Sequence, residues 1–509
     1  MAKLPDPFME ESLKRMPSVE ISVVQAVELD EPCSPCAAYE RMRSEAFPWM
    51  LESALLRDDI GRYSFVGADP YGIARLRGGS CVLEWRRPVR KSPIAGRTEG
   101  VRDPFEWLRT LLPPPPAESP SAIEEIPFHG GAVGYLGYEL GASSEPVTLR
   151  ARDELGLDDL VMLLVDRVLV FDHALRRVWS VGLGFGADVS TARARAARAS
   201  AELAERVRGL DVEPSGEGGE RPRWRAFGDA LPDGARLRTD PAVYAKSIAE
   251  LLEEIACGNV YQVNLTQRID LPYRGDPWEL YCALRRGNPA PFAACIELPE
   301  VAVLSSSPER FLKVDPAGCV QSRPIKGTRP RGRGAREDAN LAHELARSHK
   351  DRAENLMIAD LVRNDLGQVC RIGSITVPSL MAIEPYASVW QMVTTVAGEL
   401  APGRDAVDAL RACFPPGSMT GAPKIAAMRR IDRLEPVRRG IYSGALGYFD
   451  VRGGIDTSVV IRTLLVRDGR AHLHVGGGVV ADSTAEGEYR ESLDKANALL
   501  DAIERSASG

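Results

Sequence analysis

The chain has 509 residues, a mass of 55.4 kDa, 44% hydrophobic side chains and a formal net charge of −7, enough length for a large core and for more than one domain. No apolar run reaches the ~20 residues that cross a bilayer, and Met1 to Met16 is mixed in charge without an apolar signal region, so a soluble, cytoplasmic protein is expected. The mild acidity argues against nucleic acid as a partner, because the one concentrated basic run has almost no aromatic residues interleaved with it.

Nine scattered cysteines, an odd number, speak against a disulfide framework. Cys33-Ser-Pro-Cys36 is a lone pair without neighbouring histidines and reads as neither a zinc site nor a redox pair.

In chain order, residues from about 18 to 180 read as mixed strands and short helices. Pro113 to Pro116 and the polar stretch to Pro127 form a stiff connector. His129 to Tyr138 reads as a glycine-rich strand and Leu160 to Phe171 as one buried strand. Ala192 to Val207 is helical in pattern, and Glu213 to Arg225, rich in Gly, Glu and Pro, is the best linker in the chain. The division expected is 18–212, a linker at 213–237, and 238–505.

The second part opens with a helix over Asp240 to Cys257, its apolar residues Tyr244, Ile248, Leu251, Leu252 and Ile255 at helical spacing, ended by Gly258. Tyr261 to Thr266 follows as a strand. Glu337 to Leu366 is expected as the longest helix, with Asp351 and Glu354 directed from one face. Ser483-Thr-Ala-Glu486 has the form of a capping box, and Tyr489, Leu493, Ala496, Leu500 and Ile503 make the buried stripe behind it. Glu488, Glu491 and Lys495 lie at the rim of that stripe.

Several residues are candidates for chemistry on their own terms. Ser322 to Arg336 carries six cationic side chains in fifteen residues, with prolines that bar helix and glycines that let the backbone approach a ligand. It is either a solvated basic loop or a cradle for an anion, with Lys326 at a strand end facing a cleft. Glu309 stands seventeen residues before Lys326, a spacing suited to neighbouring strands, and reads as a general acid/base or as a surface carboxylate paired with Arg310. Arg323 and Arg329 flank Lys326 and are expected to lower its pKa. Arg462 shares a strand face with Val460 and Leu464 and needs an anion, from the core or from a ligand. Gly476-Gly-Gly478 offers exposed amides as a carboxylate cradle.

Pro324-Ile-Lys-Gly-Thr-Arg-Pro-Arg331 resembles the signature of the chorismate-utilising enzymes. So do Ser305-Ser-Ser-Pro-Glu-Arg-Phe311, Lys350-Asp-Arg-Ala-Glu-Asn-Leu-Met357 and Asp360-Leu-Val-Arg-Asn-Asp-Leu-Gly367, while Gly417-Ser-Met-Thr-Gly-Ala-Pro-Lys424 and Tyr442-Ser-Gly-Ala-Leu-Gly-Tyr448 come between the two acidic helices. The resemblance covers roughly residues 20 to 500 and is densest from 240 on. It implies an α+β fold like that of anthranilate synthase component I, two β-sheets packed face to face with helices outside and both domains contributing strands.

The lysine form of the signature is similar to the synthase component of aminodeoxychorismate synthase, on the path to 4-aminobenzoate and folate; anthranilate synthase component I usually has alanine at position 326. The resemblance implies Lys326 as nucleophile, Glu309 as general acid/base, and Glu354 and Glu491 as Mg²⁺ ligands. It implies Gly327, Thr328, Tyr442, Arg462, Gly476, Gly477, Gly478 and Lys495 as contacts to chorismate. Leu51, Glu52 and Ser53 match the segment that lines a tryptophan pocket. Nothing in the chain resembles a glutamine amidotransferase, so ammonia from a separate amidotransferase subunit is implied.

Gln262 falls where isochorismate and salicylate synthases carry a water-activating lysine, and an amide cannot be a base near neutral pH. Two departures stand out: Gln391 replaces a histidine that assists departure of the ring hydroxyl in the family, and Asn355 stands where histidine is common. The rival readings are anthranilate synthase component I and a non-catalytic, tryptophan-binding regulatory subunit.

Overall fold

The computed structural model describes residues 21–507 except 32, 58–59, 88–95, 100–102 and 211–230, so the expected linker Glu213 to Arg225 lies outside the described residues. The end of the 213–237 segment is a short strand, Arg236–Leu237, paired with Gln262–Pro272.

Two twelve-stranded antiparallel sheets, with helices packed against them, make an α+β fold. Each sheet takes one side from the first part of the chain and the other from the second. In one sheet the seam is Trp49–Glu52 against Phe292–Glu297; in the other it is Gly131–Leu136 against Ala445–Asp450. The inner faces share an apolar core to which Trp49, Val168 and Val303 contribute from one sheet and Val133, Leu163 and Phe449 from the other. Gly134 and Gly447 face each other across the second seam, and a Cβ on Gly134 would lie 1.9 Å from the Val161 carbonyl oxygen of the strand on its other side.

The run Leu160 to Phe171 is two strands, Leu160–Val165 and Arg167–Asp172, and they belong to different sheets. Asp166 lies at the crossing and pairs with Arg87 at 2.7 Å, a buried charge that a continuous strand would leave unmatched. Glu337 to Leu366 is likewise two helices, Ala335–Arg347 and His349–Gly367. Ser348 breaks the run by accepting a hydrogen bond from the Asp351 N–H as N-cap of the second. The longest helix is Ala485–Ala507. There Thr484, not Ser483, accepts from the Gly487 N–H, while the Ser483 hydroxyl donates to Glu488. The helices over Val189–Arg206 and Pro241–Ala256 match expectation, the latter capped by Asp240 and followed by Gly258 at φ +76°.

Two further crossings carry expected site residues. Glu309 lies between Ala302–Ser307 in one sheet and Arg310–Val314 in the other; Arg462 lies between Ile455–Val459 and Thr463–Arg467. Arg462 therefore does not share a strand face with its neighbours; it sits at φ +51°, a left-handed position rarely taken by a large side chain. The crossings are tied together, Ser306 N–H donating to the Arg462 carbonyl (3.1 Å) and Val459 N–H to the Glu309 carbonyl (3.0 Å).

Arg439 braces this region from beneath. Its buried guanidinium meets Glu435 at 2.6 Å and donates to the carbonyls of Met419 (2.7 Å) and Asn264 (2.6 Å). Replacing Arg439 by Met strands the Glu435 carboxylate away from water, so Arg439→Met should destabilise the protein by about 3–5 kcal/mol in chemical denaturation. A loss below about 1 kcal/mol would show that the brace is dispensable.

Candidate functional site

Lys326 lies on the strand Ile325–Pro330, which pairs with Val389–Glu399 through a bulge. Ile325 faces Val393 and Thr328 faces Gln391, so Lys326 and Gly327 together oppose Met392. Gly327 has φ +93°, and a Cβ there would come 2.9 Å from that of Asp351. The bulge frees backbone carbonyls, and Asn355 takes them: its amide donates to the carbonyls of Met392 (3.0 Å) and Lys326 (3.4 Å) and accepts from the Thr394 hydroxyl.

The Lys326 ammonium nitrogen lies 3.6 Å from the point where a Cβ on Gly478 would stand. Burial is the main force pushing its pKa down, Lys495 adds to it, and Glu354, Glu309 and Glu491 oppose it. The flanking arginines are not the cause. Arg323 is spent on Glu384 at 2.7 Å, and Arg329 on Glu344 and Asp351 at 2.7 and 3.0 Å. Arg331 pairs with Asp338 at 2.6 Å, so three of the run's six cationic side chains are neutralised by carboxylates of other elements and the run is no general anion cradle.

Glu309 is 4% exposed and accepts from the Ile325 N–H at 3.5 Å. It does not pair with Arg310, which meets Asp456 at 3.0 Å. Nor do Glu309 and Lys326 sit on paired strands; the Lys326 strand follows Cys319–Ser322 along Val389–Glu399, and that continuation brings Ile325 back beside Glu309. Burial pushes the Glu309 carboxyl up to about 7, against the Ser418 hydroxyl, Lys326 and the Ile325 N–H, which favour its charged form.

A carboxylate group lies alongside. Glu354 comes from His349–Gly367, and Glu488 and Glu491 from the C-terminal helix. A Cβ on Gly477 would stand 2.6 Å from Glu488 Oε2 and 3.3 Å from Glu491 Oε1, so the glycine makes room for both. Burial raises Glu354 and Glu488, whereas Lys495, 2.7 Å away, holds Glu491 down at about 2. Lys350 stands 3.9 Å from both Glu354 and Glu488. Asp351, expected beside Glu354, turns instead to Arg329. Glu488 Oε2 is buried without a hydrogen-bond partner. Hard oxygen donors from two helices with an unsatisfied carboxylate oxygen suit Mg²⁺, which keeps water or substrate oxygens on its open positions. Among the described residues no three His, Cys, Asp or Glu side chains come together so that they could hold a metal ion, so an ion here would rest on two protein carboxylates at most.

The remaining expected residues surround this pair of clusters. Lys495 donates to the Gly476 carbonyl at 2.8 Å, and the Arg462 guanidinium donates to the Lys495 carbonyl at 3.3 Å. No carboxylate among the described residues forms an ion pair with Arg462, and burial lowers its pKa against Tyr442 and Glu491. The Tyr442 ring stacks on His474 at 4.9 Å. Gly476, Gly477 and Gly478 are buried in a ladder with Thr266, Leu265 and Asn264, not exposed as the sequence implied. The strand on their other side stops at Leu473, so that edge of the run has no ladder partner. Thr328 is exposed, Gln391 is 5% exposed with an unpaired carbonyl, and both polar atoms of the buried Gln262 are unpaired beside Gly478. Sequence reasoning missed Lys350, Ser418 and the metal-facing role open to Glu488; the Glu488–Glu491 spacing on one helix face was the available signal.

Leu51, Glu52 and Ser53 line a separate cleft of about 330 Å³, with Phe65, Phe292 and Tyr448 among its walls. The Glu52 carboxylate is engaged by Tyr281 (2.8 Å) and Arg285 (2.7 Å), and the Ser53 hydroxyl donates to the Tyr63 carbonyl at 2.7 Å. Arg310 lines this cleft and also a small cavity behind Glu309.

The chain resembles known proteins over most of its length. The chain is 40% identical over 475 residues to an aminodeoxychorismate synthase of Streptomyces griseus, covering 92% of this chain and 62% of that protein. It is 36% identical to aminodeoxychorismate synthase component 1 of Escherichia coli K12, covering 91% of this chain and 95% of the relative. Its fold matches the crystal structure of anthranilate synthase component I from Streptococcus pneumoniae TIGR4 with a TM-score of 0.70 and 27% identity, over 93% of this chain and 99% of the other. With the chorismate-binding-enzyme model matching residues 72–501, the protein belongs to the chorismate-binding enzyme family.

Proposed function

We propose that this protein converts chorismate and ammonia to 4-amino-4-deoxychorismate, the precursor chemistry of 4-aminobenzoate and folate. The observation that carries this is the half-buried amine of Lys326, lowered in pKa, beside a carboxyl of Glu309 raised to about 7. Lowering the amine's pKa raises its neutral, nucleophilic fraction, and raising the carboxyl's raises its protonated, acidic fraction. Relatives named aminodeoxychorismate synthase support the assignment, and the lysine at 326 separates it from the anthranilate route, where ammonia attacks C2 directly.

The neutral Lys326 amine attacks C2 of the ring, and the C4 hydroxyl leaves as water with a proton from Glu309. The nitrogen's surplus proton is lost to solvent or to the Glu309 carboxylate. Ammonia then forms the C4–N bond as the C2–N bond to Lys326 breaks, ammonia's extra proton passing by way of Glu309 to the Lys326 nitrogen, which leaves as the neutral amine. Net, chorismate and ammonia give aminated product and water. Arg462 and the edge of the glycine run receive the substrate's carboxylates, with Thr328, Tyr442 and Lys495 around the ring. Glu354 and Glu491 would hold Mg²⁺, whose charge would offset that of the dianionic substrate. The Gln391 amide cannot transfer a proton, which leaves acid–base work to Glu309. Leu51 and Ser53 line the cleft where tryptophan would sit. The ammonia comes from a glutamine amidotransferase partner, in keeping with the name component 1 borne by the Escherichia coli relative.

Glu354→Ala or Glu491→Ala should abolish Mg²⁺-dependent turnover while circular dichroism shows a folded chain; full turnover in excess chelator would contradict the metal reading. The purified chain should use ammonium salts and ignore glutamine, and glutamine consumption would remove the need for a partner. Chromatography should show amination at C4, with a Lys326 adduct in the intact-protein mass when ammonia is withheld. Lys326→Ala should lose the C4 product by at least about 100-fold, the scale of losing a positioned nucleophile. Anthranilate as the main wild-type product would sink the assignment.

A further inference from the structure

The peptide that joins Lys326 to Gly327 is weakly constrained by its own strand. Gly327, at φ +93°, has no Cβ to limit its rotation, and the bulge interrupts the ladder at this point. A link that can turn lets the Lys326 Cα shift, and the side chain with it. A nucleophile carried on such a link needs to be held from outside the strand.

A chain of hydrogen bonds supplies the hold. Met381, on the strand Thr376–Pro385, lies within a register shift at φ +54°, a left-handed position that a side chain other than glycine rarely takes. Its N–H donates to the Thr394 hydroxyl oxygen at 3.0 Å, and that hydroxyl donates to Asn355 Oδ1. A hydroxyl that accepts from an N–H has one hydrogen left to give, so Thr394 decides which end of the Asn355 amide is oxygen. The other end, Nδ2, is thereby turned on the Met392 and Lys326 carbonyls, at 3.0 and 3.4 Å, and it carries two hydrogens, enough for both. The Thr394 N–H also donates to the Pro324 carbonyl at 3.1 Å, which fixes the strand just before Lys326. Asn355 and Thr394 are 1% and 0% exposed, so a lost bond here is not replaced by bulk water.

We infer that Asn355 is a positioning residue for Lys326: oriented by Thr394, its amide holds the Lys326–Gly327 peptide in one setting and so keeps the amine aimed at the substrate ring. The inference rests on the proposed function, in which Lys326 is the nucleophile. Asn355 follows Glu354 in the chain, so a change at 355 can also disturb the acidic pair. Thr394 lies on another strand, and its hydroxyl reaches Lys326 by way of Asn355, which makes it the cleaner handle.

The test compares Thr394→Val, which keeps the shape and removes the hydroxyl, with Thr394→Ser, which restores it, and with Asn355→Leu. At saturating ammonia and Mg²⁺, kcat should fall about 10-fold in Thr394→Val and about 100-fold in Asn355→Leu, the scale of misplacing a reacting group by about 1 Å. KM for chorismate should stay within about twofold, because neither side chain is placed against the substrate, and Thr394→Ser should recover kcat to within about threefold of wild type. Hydrogen–deuterium exchange of the backbone amides in 325–329 should quicken about 10-fold in Thr394→Val and return in Thr394→Ser. In a Lys326→Ala background, Thr394→Val should cost no more than about a further twofold, since its effect passes through the lysine. Should Asn355→Leu lose its fold by circular dichroism, the Thr394 pair decides alone. Unchanged kcat or unchanged exchange in folded Thr394→Val, no recovery in Thr394→Ser, or a full additional loss on top of Lys326→Ala overturns the inference. A wild-type protein with no chorismate turnover would strike the proposed function, and the exchange measurement would still decide whether Asn355 holds the Lys326 peptide.

Discussion

A half-buried Lys326 and a buried Glu309 act on each other's charge, and the surrounding structure follows from keeping an amine and a carboxyl there together. Burial alone drives both groups toward their neutral forms, the amine down and the carboxyl up. Full pairing with each other or with surface ions would undo that, and the fold prevents it by using the neighbouring charges elsewhere. Arg323 goes to Glu384, Arg329 to Asp351, Arg310 to Asp456 and Glu491 to Lys495. The site thus consists of groups left deliberately short of strong partners inside a shell of satisfied ion pairs.

Topology supplies the positions. Each sheet is shared between the two parts of the chain, and the chain passes from one sheet to the other at Glu309 and again at Arg462. Crossings are where strand pairing lapses, so side chains there are free of the ladder, and the hydrogen bonds between Ser306 and Arg462 and between Val459 and Glu309 hold the two together. The bulge at Lys326 and Gly327 adds the third element, with Asn355 satisfying the carbonyls it releases. Asn355, a departure from the family pattern, is therefore at home in this chain.

Much of this was legible in the sequence, because short motifs fix local chemistry. Lys326, Glu309, Glu354 and Glu491 were each singled out by the motifs around them, and the sharing of sheets followed from the family likeness. What the sequence concealed was long-range. Nothing in Leu160 to Phe171 announces a change of sheet at Asp166, since the nearest partner of its charge is Arg87, 79 residues away. The cationic run around Lys326 looked like an open cradle because its partners Glu384, Asp351 and Asp338 come from other elements. Gly476 to Gly478 looked like free amides, whereas their missing side chains make room for Gln262, Lys326, Glu488 and Glu491. A glycine reads the same in sequence whether it exposes backbone or admits a neighbour.

The claim on which the account turns is that the Lys326 amine is neutral far more often than an ordinary lysine. Competitive labelling with an amine-directed acylating reagent across a pH series, read at Lys326 by peptide mass spectrometry, measures this without turnover. The account predicts a midpoint clearly below the ~10.4 of an unperturbed lysine. A midpoint at or above that value would mean the amine is held as a cation, and the nucleophile would have to be sought elsewhere.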